Sequence, residues 1–169
     1  MIKFRKMHGL GNDFVILDLR DGGALPERER LAAMTDRRTG IGCDQLIPML
    51  PPKNPKADVF MMILNAPDAS EAEACGNATR CVADILLKEK GAKKVIIETV
   101  AGLLECFAEA DGRVTVDMGM PKFGWRDIPL AKECDTMNLP LGEGAVAVNM
   151  GNPHAVFFVK NVENFPVQE

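Results

Sequence analysis

The sequence predicts an α+β fold in which a sheet of short strands wraps around a single apolar helix. Apolar residues recur at i, i+3, i+4, i+7 and i+8 between Ala78 and Leu86, the spacing of one helical face, and Gly91 ends the helix. Short apolar runs bounded by Gly, Asp or Pro indicate the strands. Because the helix carries few charges before Lys88, we expect the sheet to bury it on nearly every side.

The predicted elements follow one another with turn residues between them. Strands are predicted at residues 2–6, 14–18, 59–65, 95–99, 103–108 and 114–118. A short helix is predicted at 27–35, directly after Pro26. The Asp111-Gly112 pair between the last two strands predicts that residues 103–118 form a hairpin.

A change in composition near Pro121 predicts a domain boundary. Glycine and proline become frequent up to Gly144, and new strand patterns appear at 145–149 and 155–159. We expect residues 1–120 to form an N-terminal domain that carries Cys75, and residues 121–169 to begin a second domain. Because no second helix of the same kind follows the boundary, the second domain is expected to be incomplete.

Composition and charge exclude several classes of partner. The 169 residues carry a net charge of −4 without a basic block, which argues against nucleic acid and against acidic lipid surfaces. No run approaches the roughly 20 apolar residues of a membrane span, and the amino end lacks the core of a signal peptide. Five cysteines without paired close spacing favour free thiols over disulfides. We therefore expect a cytoplasmic protein.

Cys75 is the residue best placed for chemistry, because it lies directly ahead of the first turn of the central helix. The unpaired N–H groups and the positive end of the helix dipole favour a thiolate there, and also any carboxylate brought beside it. Cys81 lies about a turn and a half further along the helix and is expected to pack in the core.

Other polar residues lie in segments that could equally be plain turns. Asn12 belongs to a glycine-containing loop between the first two strands, Gln45 ends another such segment, and Asn65 follows an apolar run. Asn152 is held extended by the proline after it, and His154 is one of only two histidines. Taken singly, each is explained more simply by local hydrogen bonding than by ligand binding.

These patterns predict neither a metal nor a cofactor. Cys75 and Cys81 are followed by no second ligand pair, and His8 and His154 have no partner at ligand spacing. The Gly9-Leu10-Gly11 run lacks the third glycine and the helix of a phosphate-binding loop. No lysine stands in a motif typical of pyridoxal phosphate enzymes.

Five segments taken together resemble the diaminopimelate epimerase family. They are Lys6-Met7-His8-Gly9-Leu10-Gly11-Asn12-Asp13-Phe14, Gly40-Ile41-Gly42-Cys43-Asp44-Gln45, Asn65 with Asp68-Ala69-Ser70-Glu71, Cys75-Gly76-Asn77, and Gly151-Asn152-Pro153-His154. The resemblance implies two similar domains, each a sheet rolled into a barrel around a central helix, with the active site in the cleft between them. It also implies a cofactor-independent isomerase that interconverts LL- and meso-2,6-diaminopimelate in lysine biosynthesis.

The resemblance implies roles for individual residues as well. Cys75 matches one of two catalytic cysteines, and His154 matches a position that adjusts the acidity of those cysteines. The positions that match substrate-binding residues are Asn12, Gln45, Asn65, Gly76, Asn77 and Asn152. The expected partner is a small-molecule amino acid, no metal or other cofactor is expected, and a homodimer is left open.

The sequence departs from the family pattern at three places. Ala69 and Ala78 each stand where the family usually has glycine, and both changes are small for small. The family's second catalytic cysteine, in a Gly-Cys-Gly-Ser-like turn after a Glu-Arg pair, has no counterpart here. Cys81 cannot replace it, because Cys81 shares a helix with Cys75. We therefore expect a truncated or cleaved epimerase that carries half of the active site and is inactive alone.

Three other functions stay open. An enzyme similar to proline or hydroxyproline racemase would use the same kind of site on another amino acid. A non-catalytic amino-acid-binding module would keep the asparagine and glutamine side chains without the chemistry. A cysteine hydrolase would pair Cys75 with His154.

Overall fold

Residues 3–141, 144–163 and 165 are described by the computed structural model of the chain. The chain divides into a first unit, Met1–Met118, and a second unit, Gly119–Glu169. Neither helix found in the described part is long and apolar enough to cross a membrane. Ile2, where the first predicted strand begins, lies outside the described residues.

The described residues contain two helices and eleven strands. The helices are α1 (Arg28–Thr35) and α2 (Gly76–Lys90). The strands are β1 (Phe4–Gly9), β2 (Asn12–Asp18), β3 (Gln45–Leu50), β4 (Val59–Met61), β5 (Leu64–Asn65), β6 (Ser70–Glu71), β7 (Lys94–Thr99), β8 (Gly102–Ala108), β9 (Val114–Asp117), β10 (Ala145–Asn149) and β11 (Pro153–Phe157). Both helices and the first nine strands belong to the first unit.

The sheet of the first unit is mixed and curves around α2. Its strand order is β1-β2-β3-β4-β7-β8-β9, and off this path β5 pairs with both β3 and β6. The pairs β2–β3 and β4–β7 are parallel, and the others are antiparallel. The strands at both ends of this order, β1 and β9, contact α2, as do β2, β7 and β8. The α+β prediction, with a sheet rolled around one central helix, is confirmed.

The central helix α2 is buried along most of its length. Its buried residues are Ala78, Thr79, Cys81, Val82, Ala83, Ile85, Leu86 and Leu87. Complete burial of a side chain such as Leu86 contributes about 2–3 kcal/mol, so this face supplies much of the core of the unit. Gly91 adopts a left-handed conformation (φ 60°) and donates its N–H to the carbonyl of Leu87, which ends the helix as predicted.

The strand β3 is absent from the sequence prediction. Pro48 lies in its middle, and proline is uncommon in a central strand because it donates no hydrogen bond. The strand is nevertheless buried, with Leu46 and Ile47 inaccessible to solvent, and the carbonyl of Pro48 accepts a hydrogen bond from Met62 N–H at 3.0 Å. The predicted strand 59–65 is also divided into β4 and β5, and both pieces pair with β3.

Two other local predictions for the first unit are confirmed. The helix predicted at 27–35 is α1, which begins one residue later with Glu27 as its N-cap. The hairpin predicted at 103–118 is the antiparallel pair β8–β9, and its turn contains Gly112 with a positive φ of 83°.

The second unit is built around the hairpin β10–β11. Its small core contains Ile128, Leu139, Ala145 and Ala147. The predicted strand 145–149 is confirmed, and the strand predicted at 155–159 lies two residues earlier, at Pro153–Phe157. That this unit is the beginning of a longer domain stays a prediction.

Candidate active site

Cys75 is the N-cap residue of α2. Its backbone is extended (φ −152°, ψ 99°), and its sulfur accepts a hydrogen bond from Ala78 N–H at 3.4 Å. On its other side the thiol is 3.8 Å from Asn12 Oδ1, to which it can donate. The half-buried sulfur therefore lies between one hydrogen-bond donor and one acceptor.

The first turn of α2 beside Cys75 forms a site suited to an anion. Gly76 and Asn77 are its first two residues, and N–H groups in a first turn have no acceptor within their own helix. A Cβ placed on Gly76 would come near only Met118 Sδ, at 3.7 Å, so the approach to this backbone is open. The helix dipole adds partial positive charge there.

Asn12 reaches this turn from the tight connection between β1 and β2. Leu10 and Gly11 form that connection with positive φ angles of 54° and 88°. Asn77 Nδ2 donates a hydrogen bond to Asn12 Oδ1 at 3.5 Å. A Cβ on Gly9 would lie only 3.2 Å from Asn77 Cβ, so glycine permits the end of β1 to approach α2. Asn12, Cys75 and Asn77 are thereby brought together.

Gln45 and Asn65 form a second amide pair on neighbouring strands. They face each other in the antiparallel register of β3 and β5, and Gln45 Nε2 donates to Asn65 Oδ1 at 2.8 Å. Gln45 Oε1 is buried and has no hydrogen-bond partner among the described residues. A buried acceptor of this kind is normally paired with a protein group, an ordered water or a bound ligand.

A cluster of charged side chains that the sequence did not indicate lies beside Asn12 and contacts it through Asp44. Arg37 Nη2 is 2.7 Å from Asp13 Oδ1 and 2.8 Å from Asp44 Oδ1. Lys6 Nζ is 2.7 Å from Asp13 Oδ2, and Asn12 Nδ2 donates to Asp44 Oδ2 at 3.1 Å. The hydrogen bond from Arg37 holds the pKa of Asp13 well below its usual range, against the opposing effect of burial. No spacing pattern in the sequence links Arg37 to the two aspartates.

Three of the other cysteines are buried. Burial raises the pKa of Cys81 to about 11 and that of Cys106 to about 12, and it also raises the pKa of Cys43. The prediction that Cys81 packs in the core is confirmed, because it is only 5% exposed. Cys134 is half-buried in the second unit. No three His, Cys, Asp or Glu side chains of the described residues converge as metal ligands.

The remaining predicted site residues, Asn152 and His154, belong to the second unit. They are adjacent there, with His154 Nε2 2.9 Å from Asn152 Oδ1. His154 also lines a cavity of about 330 Å³ in this unit, whose other walls are mostly apolar.

Comparison of the chain with known proteins finds a matching family model and close relatives. A family model described as diaminopimelate epimerase matches residues 4–124. The diaminopimelate epimerase of Rhodospirillum centenum is 53% identical over 165 residues, which cover 95% of this chain and 56% of that protein. The diaminopimelate epimerase of Acidiphilium cryptum is 49% identical over 169 residues, covering 98% of this chain and 60% of that protein. The chain therefore spans less than two thirds of the length of these relatives.

A solved structure supports the fold. A probable proline racemase from Agrobacterium radiobacter, with bound carbonate, is similar with a TM-score of 0.62 over 92% of this chain and 51% of that chain. At 18% sequence identity this likeness shows the fold alone. The family model and the two close relatives go further than the fold: the chain belongs to the diaminopimelate epimerase family.

Proposed function

We propose that this chain supplies one half of the active site of a cofactor-independent diaminopimelate epimerase, an isomerase of lysine biosynthesis. The observation that carries the proposal is the position of Cys75 at the N-terminus of α2, beside the amides of Asn12 and Asn77. Family membership supports the reaction, the interconversion of LL- and meso-2,6-diaminopimelate.

Inversion of an α-carbon requires a base on one face of the carbon and an acid on the other. A thiolate takes the α-proton and becomes a thiol, and the electron pair of the C–H bond stays on the carbon. The carbanion then takes a proton from a second thiol on the opposite face, which becomes a thiolate. Cys75 performs one of these two transfers, and its role reverses with the direction of the reaction.

The first turn of α2 binds the α-carboxylate. The N–H groups of Gly76 and Asn77 donate to it, and the helix dipole stabilises the negative charge that develops next to it when the proton leaves. Fixing the carboxylate also orients the α-hydrogen towards Cys75.

The amides of Asn12, Gln45 and Asn65 hold the remaining polar groups of the substrate. The orphaned Gln45 Oε1 supports this assignment, because an ammonium group would supply the donor it lacks. On the family resemblance we also assign Asn152 to substrate binding and His154 to adjusting the acidity of the cysteines.

We infer that none of the other four cysteines of this chain supplies the second catalytic thiol. Cys43, Cys81 and Cys106 are buried, and Cys134 packs partly against the core of the second unit. We therefore expect the isolated chain to bind substrate without inverting it. A cytoplasmic location suits the five free cysteines, and a homodimer stays a prediction for light scattering to check.

The test is α-hydrogen exchange of meso-diaminopimelate in deuterated water, combined with titration calorimetry on the same 169-residue chain. We expect binding without exchange. Asn65→Ala should abolish binding, and Asn54→Ala, in the loop between β3 and β4, should not. Exchange at the rate of a full-length relative would overturn the half-site proposal. Exchange or binding of proline in place of diaminopimelate would indicate a racemase-like function, and absence of any binding would overturn the substrate assignment.

A further inference from the structure

Four side chains form a continuous line of hydrogen bonds along the wall of the site. Arg80 Nη2 donates to Asn77 Oδ1, and Asn77 Nδ2 donates to Asn12 Oδ1 at 3.5 Å. Asn12 Nδ2 then donates to Asp44 Oδ2 at 3.1 Å. Each amide in the line accepts at its oxygen and donates from its nitrogen.

The two ends of this line allow only one orientation of the amides between them. A guanidinium group can only donate, so Arg80 requires the oxygen of Asn77. A carboxylate can only accept, so Asp44 requires the nitrogen of Asn12. The requirements agree, because Asn77 then offers a donor to the oxygen that Asn12 presents.

Asp44 is itself held firmly. Its Oδ1 is 2.8 Å from Arg37 Nη2, and its Oδ2 also accepts a hydrogen bond from Asp13 N–H at 3.0 Å. In return, the backbone N–H of Asp44 donates to Asp13 Oδ1 at 2.9 Å. Asp44 therefore stays in place without the help of Asn12, and it can dictate the orientation of the Asn12 amide.

We propose that Asp44 is a positioning residue that turns Asn12 Oδ1, rather than Nδ2, towards Cys75. An oxygen 3.8 Å from the sulfur accepts a hydrogen bond from the thiol and offers nothing to the thiolate. Asp44 thus acts through Asn12 to place a hydrogen-bond acceptor, and no donor, on this side of the Cys75 sulfur. The catalytic meaning of this arrangement rests on the proposed function, but the orientation of Asn12 does not.

The first experiment measures how fast iodoacetamide alkylates Cys75 in the 169-residue chain and in Asp44→Asn. The variant removes the shorter of the two contacts that orient the Asn12 amide and leaves only the long one, from Asn77 Nδ2 at 3.5 Å. The amide can then turn its nitrogen towards the sulfur and stabilise the thiolate, so alkylation should become about three- to tenfold faster. Asp13→Asn is the matched control, since it removes the same charge from the same cluster without touching Asn12. Its rate should stay within about twofold of wild type.

A double-mutant cycle separates orientation from charge. In an Asn12→Ala background, Asp44→Asn should leave the alkylation rate unchanged, because the amide through which Asp44 acts is gone. An acceleration that persists without Asn12, or that Asp13→Asn reproduces, would overturn the proposal. So would an unchanged rate in folded Asp44→Asn. If Asp44→Asn does not fold, Asp44→Ser, whose hydroxyl is too short to reach Asn12, carries the same expectation. None of these outcomes depends on diaminopimelate, so a failed substrate assignment would be recognised separately.

Discussion

Gln45 Nε2 donates a hydrogen bond to Asn65 Oδ1 at 2.8 Å across the β3–β5 pair, while Gln45 Oε1 is buried and unpaired among the described residues. This hydrogen bond holds the two amides in one orientation and leaves the acceptor Gln45 Oε1 available to a ligand. A ligand donor that reaches Oε1 would gain a hydrogen bond in a site already desolvated.

Gln45→Glu should destabilise the chain, because a carboxylate cannot donate to Asn65 and would instead place oxygen against oxygen. We expect the free energy of unfolding at pH 7 to fall by about 1–3 kcal/mol, measured by urea denaturation. Asn54→Asp is the control, since Asn54 Oδ1 accepts a backbone hydrogen bond in an exposed loop that a carboxylate can also accept. Its change should stay within about 0.5 kcal/mol. A loss for Gln45→Glu no larger than this would contradict the prediction.

Cys75 should be the thiol of α2 that reacts with alkylating agents. Cys81 is 5% exposed and burial raises its pKa to about 11, so at neutral pH it should react at least about a hundredfold more slowly than Cys75. Trypsin cleaves after Arg80, so the two cysteines fall on different peptides and mass spectrometry can follow each one. Equal rates in the folded chain would contradict the placement of Cys75 at the open end of the helix.

Asp13 should stabilise the first unit at neutral pH and lose this effect in acid. Its pKa is depressed in the folded state by Arg37, so its contribution is present above the unfolded pKa of about 3.9 and is lost as pH falls through the lower folded value. Asp13→Asn should therefore cost about 1 kcal/mol at pH 7, and the difference from wild type should narrow below about pH 4. Asp111→Asn, at an exposed turn, is the control. A difference in the free energy of unfolding between Asp13→Asn and wild type that widened in acid would contradict this prediction.

Gly9 and Gly76 should respond in opposite ways to an added methyl group. Gly9→Ala would press its Cβ to within 3.2 Å of Asn77 Cβ and of the Asn77 carbonyl oxygen, and should cost about 1–3 kcal/mol. Gly76→Ala meets only Met118 Sδ at an ordinary contact distance, and alanine favours the helix by about 0.5–1 kcal/mol over glycine. Thermal unfolding of the two variants provides the comparison. Equal destabilisation would show that the β1 end does not approach α2 this closely.

Leu10→Asn should stabilise the β1–β2 turn. Leu10 has a φ of 54° and is 90% exposed, so it bears the strain of a left-handed conformation without burying its side chain. Asparagine adopts this conformation more readily and precedes glycine in the preferred two-residue hairpin turn, so a gain of about 0.5–1 kcal/mol is expected. Met120→Asn, at a similarly exposed residue with negative φ, should give no gain. A loss of stability in Leu10→Asn would indicate that the Leu10 side chain makes a contact of its own.

The central helix is the part of the fold that the sequence predicts best. Its apolar period, the capping position of Cys75 and the terminating Gly91 are all local features, and each is found where the pattern places it. By contrast, β3 is not predicted, because Pro48 lies within it and proline disfavours a strand. The strand is stabilised by pairing with buried neighbouring strands such as β2. Local propensity decides the first case, and tertiary packing overrides it in the second.

The candidate site divides in the same way. The sequence by itself determined that Cys75 precedes a buried helix, that Asn12 and Gln45 lie in glycine-containing loop segments and that Asn65 ends an apolar run, because hydrophobic period and turn chemistry act over a few residues. Only the tertiary structure decided which atoms meet. The amide of Asn12 lies against Cys75, 63 residues away, and is fixed by Asp44, 32 residues away. Such contacts arise from the curvature of the sheet around α2. The direction of the hydrogen bonds is set by the groups at the ends of the line, a guanidinium that can only donate and a carboxylate that can only accept.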